Sequence, residues 1–378
     1  MKVLSQRPGL VLAIAGLGLS LPAVLLIGTR ASATRPSSPA VALRALPGGE
    51  SDLVERHKLH LAATPSPEAV SASAASGSQP SPTGVAAATR PAPTPTRPAP
   101  APPPPAAPSL PAFSHIFTIV MENEEASSVI GNPSAPYING LANRYGLAAN
   151  YYAVSHPSLP NYLALTAGST FGISSDCTTC YLGAVNIADQ VEASGRSWRA
   201  YMEDMPSPCY TGAWSGNYAM KHDPFMYYND IRNNPARCAA HVVPFSQFSG
   251  DLGSGSVPNY VFITPNMCHD MHDCPVSTGD AWLQSVVPGI TGSAAFQNGG
   301  LLFITWDEGA SSAGCCGDSW GGRVVTLVIS PLSISGYRSG VAENHYSLLR
   351  TIEDSWHLGH LGAAGYASSV PMREYFRN

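Results

Sequence analysis

The chain has 378 residues, 20 basic and 25 acidic side chains, a formal net charge of −5, and eight cysteines. Its Lys and Arg are scattered and form no basic stripe, which excludes binding to a nucleic-acid polymer through charge. Eighteen of its 35 prolines fall within residues 34–112, so the whole length cannot be one globule.

Residues 1–33 read as a signal peptide or an N-terminal anchor. Lys2 and Arg7 precede an apolar run, Gly9–Gly28, and Ala31-Ser32-Ala33 offers a small-residue cleavage site. The run is long for a signal peptide, which keeps a membrane tether open. Residues 34–112 are rich in Pro, Ala, Ser and Thr, and Thr89–Pro111 is nearly all Pro and Ala. Such a segment has few apolar side chains and few backbone donors, and is expected to be a disordered, polyproline-like linker. A short helical turn is expected over Leu53–Leu61. Residues 113–378 remain as a single catalytic domain, expected outside the cytoplasm, secreted or in the cell envelope.

All eight cysteines lie between Cys177 and Cys316. An even number behind an export signal favours disulfides. Proximity favours Cys177–Cys180, Cys209–Cys238 and Cys268–Cys274, which leaves Cys315 and Cys316 as a vicinal pair. A zinc site of cysteines alone is the competing reading, and the absence of a second C-x-x-C weighs against it.

Within the domain, His115–Met121 predicts a buried strand. A short helix is expected over Asn161–Ala167, behind Pro160 and stopped by Gly168. Ile187–Ala193 has helical spacing, and Ser197–Met202 predicts a strand. Cys209–Val243 is aromatic, aperiodic and read as an insertion over the site. Asn259–Thr264 predicts a strand, and a helix follows from Ser277 to about Val287, with Asp280 as its capping-box partner. Leu301–Trp306 and Val324–Ile329 predict buried strands. His345–Leu358 predicts an amphipathic helix capped by Asn344. Strands alternating with helices imply an α/β fold, with a central mostly parallel sheet and helices on both faces.

Reactive groups in such sheets gather outside the carboxyl ends of the strands. Glu122-Asn123 and Asp307-Glu308 each follow an apolar strand and supply hard oxygen ligands for a divalent cation. A polar turn is the plainer reading of either alone, but paired acids at a strand end are costly without a compensating cation. The identity of the metal stays open among Zn, Ca, Mg and Mn. His269-Asp270-Met271-His272-Asp273 is the densest ionisable cluster, able to bind a metal, protonate a leaving group or clamp phosphate oxygens. Ser158 precedes a helix whose free amides and dipole suit a nucleophile attacking phosphorus. Asn161 can donate to a phosphate oxygen. His345 opens the last long helix, as a structural residue or as a phosphate contact.

Together the motifs Met121-Glu122-Asn123, Ser158-Leu159-Pro160-Asn161, His269…His272-Asp273, Thr305-Trp306-Asp307-Glu308 and His345 resemble the phosphoesterase family of bacterial phospholipases C and acid phosphatases, in the alkaline phosphatase superfamily. The resemblance covers about residues 113–354. It implies an alkaline phosphatase-like fold, a metal held by Glu122, Asn123, Asp307 and Glu308, and Ser158 as nucleophile. His269 or His272 would protonate the leaving group, and Asn161, Asp273 and His345 would contact substrate. Ser158-Leu159-Pro160-Asn161 is also similar to the Thr-Phe-Pro-Asn motif of nucleotide pyrophosphatases. A sulfatase motif would need Arg where Leu159 stands. The chain is short for a phospholipase C, and the His/Asn/Lys group that larger acid phosphatases carry ahead of the nucleophile has no match here.

The expected protein is therefore a secreted metal-dependent phosphoesterase. It works through a phosphoserine on a small phosphate ester or a phospholipid headgroup, and acid phosphatase-like action is favoured. The alternatives are a phospholipase C-like phosphodiesterase and a non-catalytic cell-envelope domain that binds a phosphorylated polymer.

Overall fold

Runs of Ile, Val, Phe and Leu become the middle of a sheet because β-branched and aromatic side chains fit a pleated, buried surface. The computed structural model describes residues 110–377. The leader, the turn over 53–61 and the linker up to residue 109 lie outside the described residues.

Eight strands form the main sheet: β1 (Ile116–Met121), β2 (Gly146–Ala148), β3 (Trp198–Met202), β4 (Val242–Pro244), β5 (Tyr260–Thr264), β6 (Leu301–Trp306), β7 (Thr326–Ile329) and β8 (Arg338–Ser339). Their spatial order is β8-β2-β7-β6-β1-β5-β3-β4. Among them only β7 runs against its neighbours, β6 and β2. Every residue of β1, β5, β6 and β7 is buried, which explains why these segments read as unbroken apolar runs rather than alternating ones. The fold is α/β with a mostly parallel central sheet, as the alternating pattern implies.

The helices around the sheet include α1 (Pro136–Arg144), α2 (Ser158–Ala167), α3 (Ile187–Ala193), α4 (Val276–Gly292) and α5 (His345–Trp356), of which α2 and α5 carry residues of the site. Helix α2 packs on α5, and α1 packs on α4. Asn344 caps α5 by accepting from the Ser347 amide at 2.9 Å. Asn186 and Asp189 form a capping box on α3. Among the described residues no helix is long and apolar enough to cross a membrane.

Three local expectations change. Asp280 does not cap its own helix: α4 starts after Pro275 with no side-chain cap. Instead Asp280 accepts from the Tyr137 and Ile138 amides at 3.2 and 2.8 Å, closing the start of α1. Buried between the two helices, its carboxylate satisfies amides of the neighbour rather than those of its own first turn. Helix α2 begins at Ser158, three residues before the expected start, because a proline at the third position of a helix removes an amide that the first turn leaves unpaired anyway. The segment 209–243 is not a featureless insertion: it forms the hairpin Trp214–Ser215/Tyr218–Ala219, short 3-10 turns and a helix over Pro235–His241.

The cysteines pair as Cys177–Cys180, Cys209–Cys238, Cys268–Cys274 and Cys315–Cys316. The third of these closes the loop that follows β5.

Helix α5 also carries a buried acid away from the site. Glu353 Oε1 accepts from the Leu361 amide at 2.8 Å, while Oε2 is buried without a partner. Burial, helped by the neighbouring Asp354, pushes its pKa up to about 8. A carboxyl whose pKa is raised on folding contributes stability below its unfolded pKa, and that contribution is lost as pH rises through the folded value. Glu353→Gln is therefore expected to raise Tm over wild type at pH 9, by roughly 5 °C, and to leave it unchanged at pH 4. Calorimetry at the two pH values checks this, and an equal shift at both would contradict it.

Candidate active site

Register brings the first two acids together. Met121 pairs with Trp306 across β1 and β6, so Glu122 and Asp307 leave the sheet side by side. Ile119 pairs with Ile263, which sets the loop after β5 beside them. The Glu122 amide donates to the Asp270 carbonyl at 2.8 Å and fastens that loop to the end of β1. Asn123 has positive φ, and its amide donates to Asp307 Oδ1 at 3.1 Å.

Helix α2 points its first turn at Glu122. Ser158 Oγ donates to Glu122 Oε2 at 3.1 Å. Tyr162, one turn later on the same face, donates to Oε1 in a short hydrogen bond. Ser158, Tyr162 and Glu122 are all buried. Behind them His222 stacks on the Tyr162 ring, with centroids 5.4 Å apart and planes 13° apart. The two His222 nitrogens lie 3.3 Å from Glu122 Oε2 and 3.3 Å from Asp270 Oδ2. Neither His222 Nε2 nor Asp270 Oδ2 finds a hydrogen-bond partner, and Asp307 Oδ2 is likewise buried and unpartnered.

Charge is concentrated here. Burial raises the pKa of Glu122 well above the usual carboxylate value, and Asp307 and Asp270 raise it further. Burial pushes Asp307 up to about 6 and Glu308 up to about 7. Burial and the nearby Lys221 hold His222 well below the usual imidazole value, so it is neutral. Burial alone would lower the Lys221 ammonium, but Asp176 and Glu122 outweigh it and the pKa rises. Lys221 Nζ lies 2.9 Å from Asp176 Oδ2 and 3.2 Å from His272 Nε2.

Glu122, His222 and His272 each offer a ligand atom within 4.8 Å of the others. Unpaired buried oxygens on Asp307 and Asp270, with an unpaired imidazole nitrogen on His222, form a donor set that a divalent cation would satisfy. The residues present fit such an ion.

The sequence profile of the Phosphoesterase family matches residues 122–359, which span both acid pairs, the serine and the histidine cluster. The chain belongs to the Phosphoesterase family. It is 33% identical over 267 residues to a phosphatidylinositol-3-phosphatase of Mycobacterium tuberculosis, covering 70% of this chain and 83% of that one. It is 29% identical over 264 residues to a probable acid phosphatase of Kluyveromyces lactis, covering 66% of this chain and 60% of the yeast protein. Among solved structures it matches an alkaline phosphatase superfamily protein of Vibrio parahaemolyticus at 12% identity and a TM-score of 0.47, covering 70% of this chain and 72% of that one. The chain is a hydrolase of phosphoric esters.

Within the phosphoesterase site the expected residues take different places. Ser158, Glu122, Asp307 and His272 converge. Glu308 turns to His156, whose Nδ1 meets its Oε2 in a short contact that raises the imidazole pKa. Asp273 accepts from His272 Nδ1 at 2.7 Å and leaves Nε2 to face Lys221. This carboxylate thus orients the imidazole from outside, on an exposed side chain. His269 stands apart, bonded to Glu203 at 2.9 Å and stacked on Trp282.

Two expected substrate contacts are otherwise engaged. Asn161 spends its whole amide on its own loop: Oδ1 accepts from the Val154 and Ser155 amides, and Nδ2 donates to the Ser155 and Pro157 carbonyls. It shapes the turn that presents Ser158. His345 donates from Nε2 to the Asp307 carbonyl at 2.6 Å and accepts from Tyr151 at Nδ1. Burial holds its pKa down at about 4, so it braces the end of β6 as a neutral ring.

Lys221, His222, Asp176 and Tyr162 are the residues that sequence reasoning missed. Lys221 and His222 sit in an aperiodic segment, where their adjacency in sequence is the one signal that could have found them. Asp270 lay inside the recognised cluster without a role of its own.

Proposed function

We propose that this domain hydrolyses phosphate monoesters, with Ser158 as the nucleophile and a divalent cation held at Glu122. The observation that carries the reading is the buried hydrogen bond from Ser158 Oγ to Glu122 Oε2, made in the first turn of a helix. The residues that would hold the cation are Glu122, His222 and His272, with Asp307 beside Glu122. Bound there, a divalent cation would lower the pKa of the serine hydroxyl and offset the crowded carboxylates.

The chain's own groups supply the rest. Ser158 Oγ attacks phosphorus and its proton passes to Glu122; the ester oxygen leaves on the opposite side and takes a proton from water, and Glu122 returns its proton to Ser158 when the phosphoserine is hydrolysed. Lys221 opposes the charge that builds on the phosphoryl oxygens. Water then attacks the phosphoserine, releasing inorganic phosphate and restoring the serine hydroxyl.

Support for a monoester comes from the printed names of the two relatives, since each is a phosphatase. The four disulfides support an extracytoplasmic location. The decisive experiment is turnover of p-nitrophenyl phosphate, bis-p-nitrophenyl phosphate and p-nitrophenyl phosphorylcholine by the full chain, with and without chelator. Chelator is expected to abolish activity, divalent cation to restore it, and the monoester to be cleaved fastest. Faster cleavage of either diester would favour a phospholipase C-like enzyme. Silence on all three after metal addition would favour a binding domain.

A further inference from the structure

The first turn of α2 is short of donors. Pro157 and Pro160 have no N–H, so Ser158 and Leu159 carry the free amides there. The Leu159 amide, next to the nucleophile, is already engaged: it donates to Asp176 Oδ1 at 3.0 Å. The other oxygen of Asp176 accepts from Lys221 Nζ at 2.9 Å. An amide at the positive end of a helix, together with an ammonium, is the pair of donors that suits a phosphoryl group. Here an internal carboxylate holds both.

The surroundings suit an exchange. The Asp176 side chain is 26% exposed, while Lys221 is 11% exposed. The carboxylate can therefore turn towards water while the ammonium stays in the site. The Cys177–Cys180 disulfide, immediately after Asp176, limits how far the loop can travel.

We propose that Asp176 is an internal substitute for the substrate's phosphoryl group. It occupies the Leu159 amide and the Lys221 ammonium between turnovers and yields both to an incoming phosphate. The inference rests on reading Ser158 as the nucleophile. No covalent bond changes: one anion replaces another on the same donors. After the exchange the displaced carboxylate still faces the bound phosphate. It weakens the hold on phosphate and speeds product release. Repulsion scales with the product of the charges, so it acts more on a phosphate dianion than on a singly charged diester.

Asp176→Asn keeps an acceptor for the Leu159 amide and removes the charge. Titration calorimetry of the full chain with inorganic phosphate is expected to show Kd falling about tenfold in this variant, within the usual range for coupled sites. Phosphate inhibition should tighten in step. Lys221→Met in the same titration should lose phosphate binding. If Asp176→Asn binds phosphate as weakly as wild type, or more weakly, while its Tm is unchanged, Asp176 only positions Lys221 and the inference fails. Should Asp176→Asn fail to fold, Asp176→Ser takes its place in the titration. Phosphate binding is read without turnover. Retained activity in Ser158→Ala would therefore sink the nucleophile reading, while an unchanged Kd in Asp176→Asn would sink this inference alone.

Discussion

Ser158→Ala is expected to reduce kcat on p-nitrophenyl phosphate by about a thousandfold or more and to leave the fold intact. Ser158 is buried, and its hydroxyl has one partner, Glu122 Oε2. Removing the oxygen leaves a small gap in the first turn of α2, where Tyr162 still donates to Glu122 Oε1. The expected cost in stability is therefore about 1 kcal/mol, the usual net value of one hydrogen bond. Steady-state kinetics with a thermal melt beside them test both parts. A variant with near wild-type kcat and a normal Tm would remove Ser158 from the chemistry.

Lys221→Met has the second largest expected effect, and it acts on activity and stability together. The ammonium contacts Asp176 and His272, and its charge also lowers the pKa of Glu122, Asp270 and Asp307. Without it these acids face one another in a buried pocket. Loss of a preorganised charge opposite the phosphoryl oxygens is expected to lower kcat about a hundredfold. Breaking a largely buried ion pair is expected to cost about 3 kcal/mol. Lys221→Arg should recover much of the stability but little of the rate, because a planar guanidinium does not reproduce a compact ammonium. Parallel kcat and Tm measurements on the two variants decide the matter, and full activity in Lys221→Met would refute the role.

Much of the scaffold was legible from local pattern. The runs 116–121, 260–264 and 301–306 are apolar on both faces, and that pattern has few solutions other than buried parallel strands. Helix α5 was legible because its amphipathic spacing begins just after a good cap, Asn344. The pairing of nearby cysteines followed from separation along the chain. Asp280 was not legible. Its spacing fitted a capping box, but a carboxylate serves whichever free amides lie nearest in space, and those belong to α1.

The sequence by itself determined which segments form the buried strands of the sheet, the placement of Glu122 and Asp307 at strand ends, and Ser158 ahead of a helix. These depend on periodicity and on residue types within one segment. Only the tertiary structure decided which side chains share the pocket. Lys221, His222 and Asp176 come from segments with little periodicity, and the packing of Tyr162 on His222 and the reach of Lys221 to Asp176 put them there. Conversely, Asn161 and His345 lie in the right motifs, yet nearby backbone groups, and for His345 Nδ1 the Tyr151 hydroxyl, claim their polar atoms. A polar side chain in a dry interior is committed by the donors and acceptors around it, and those are set by contacts between segments far apart in the chain.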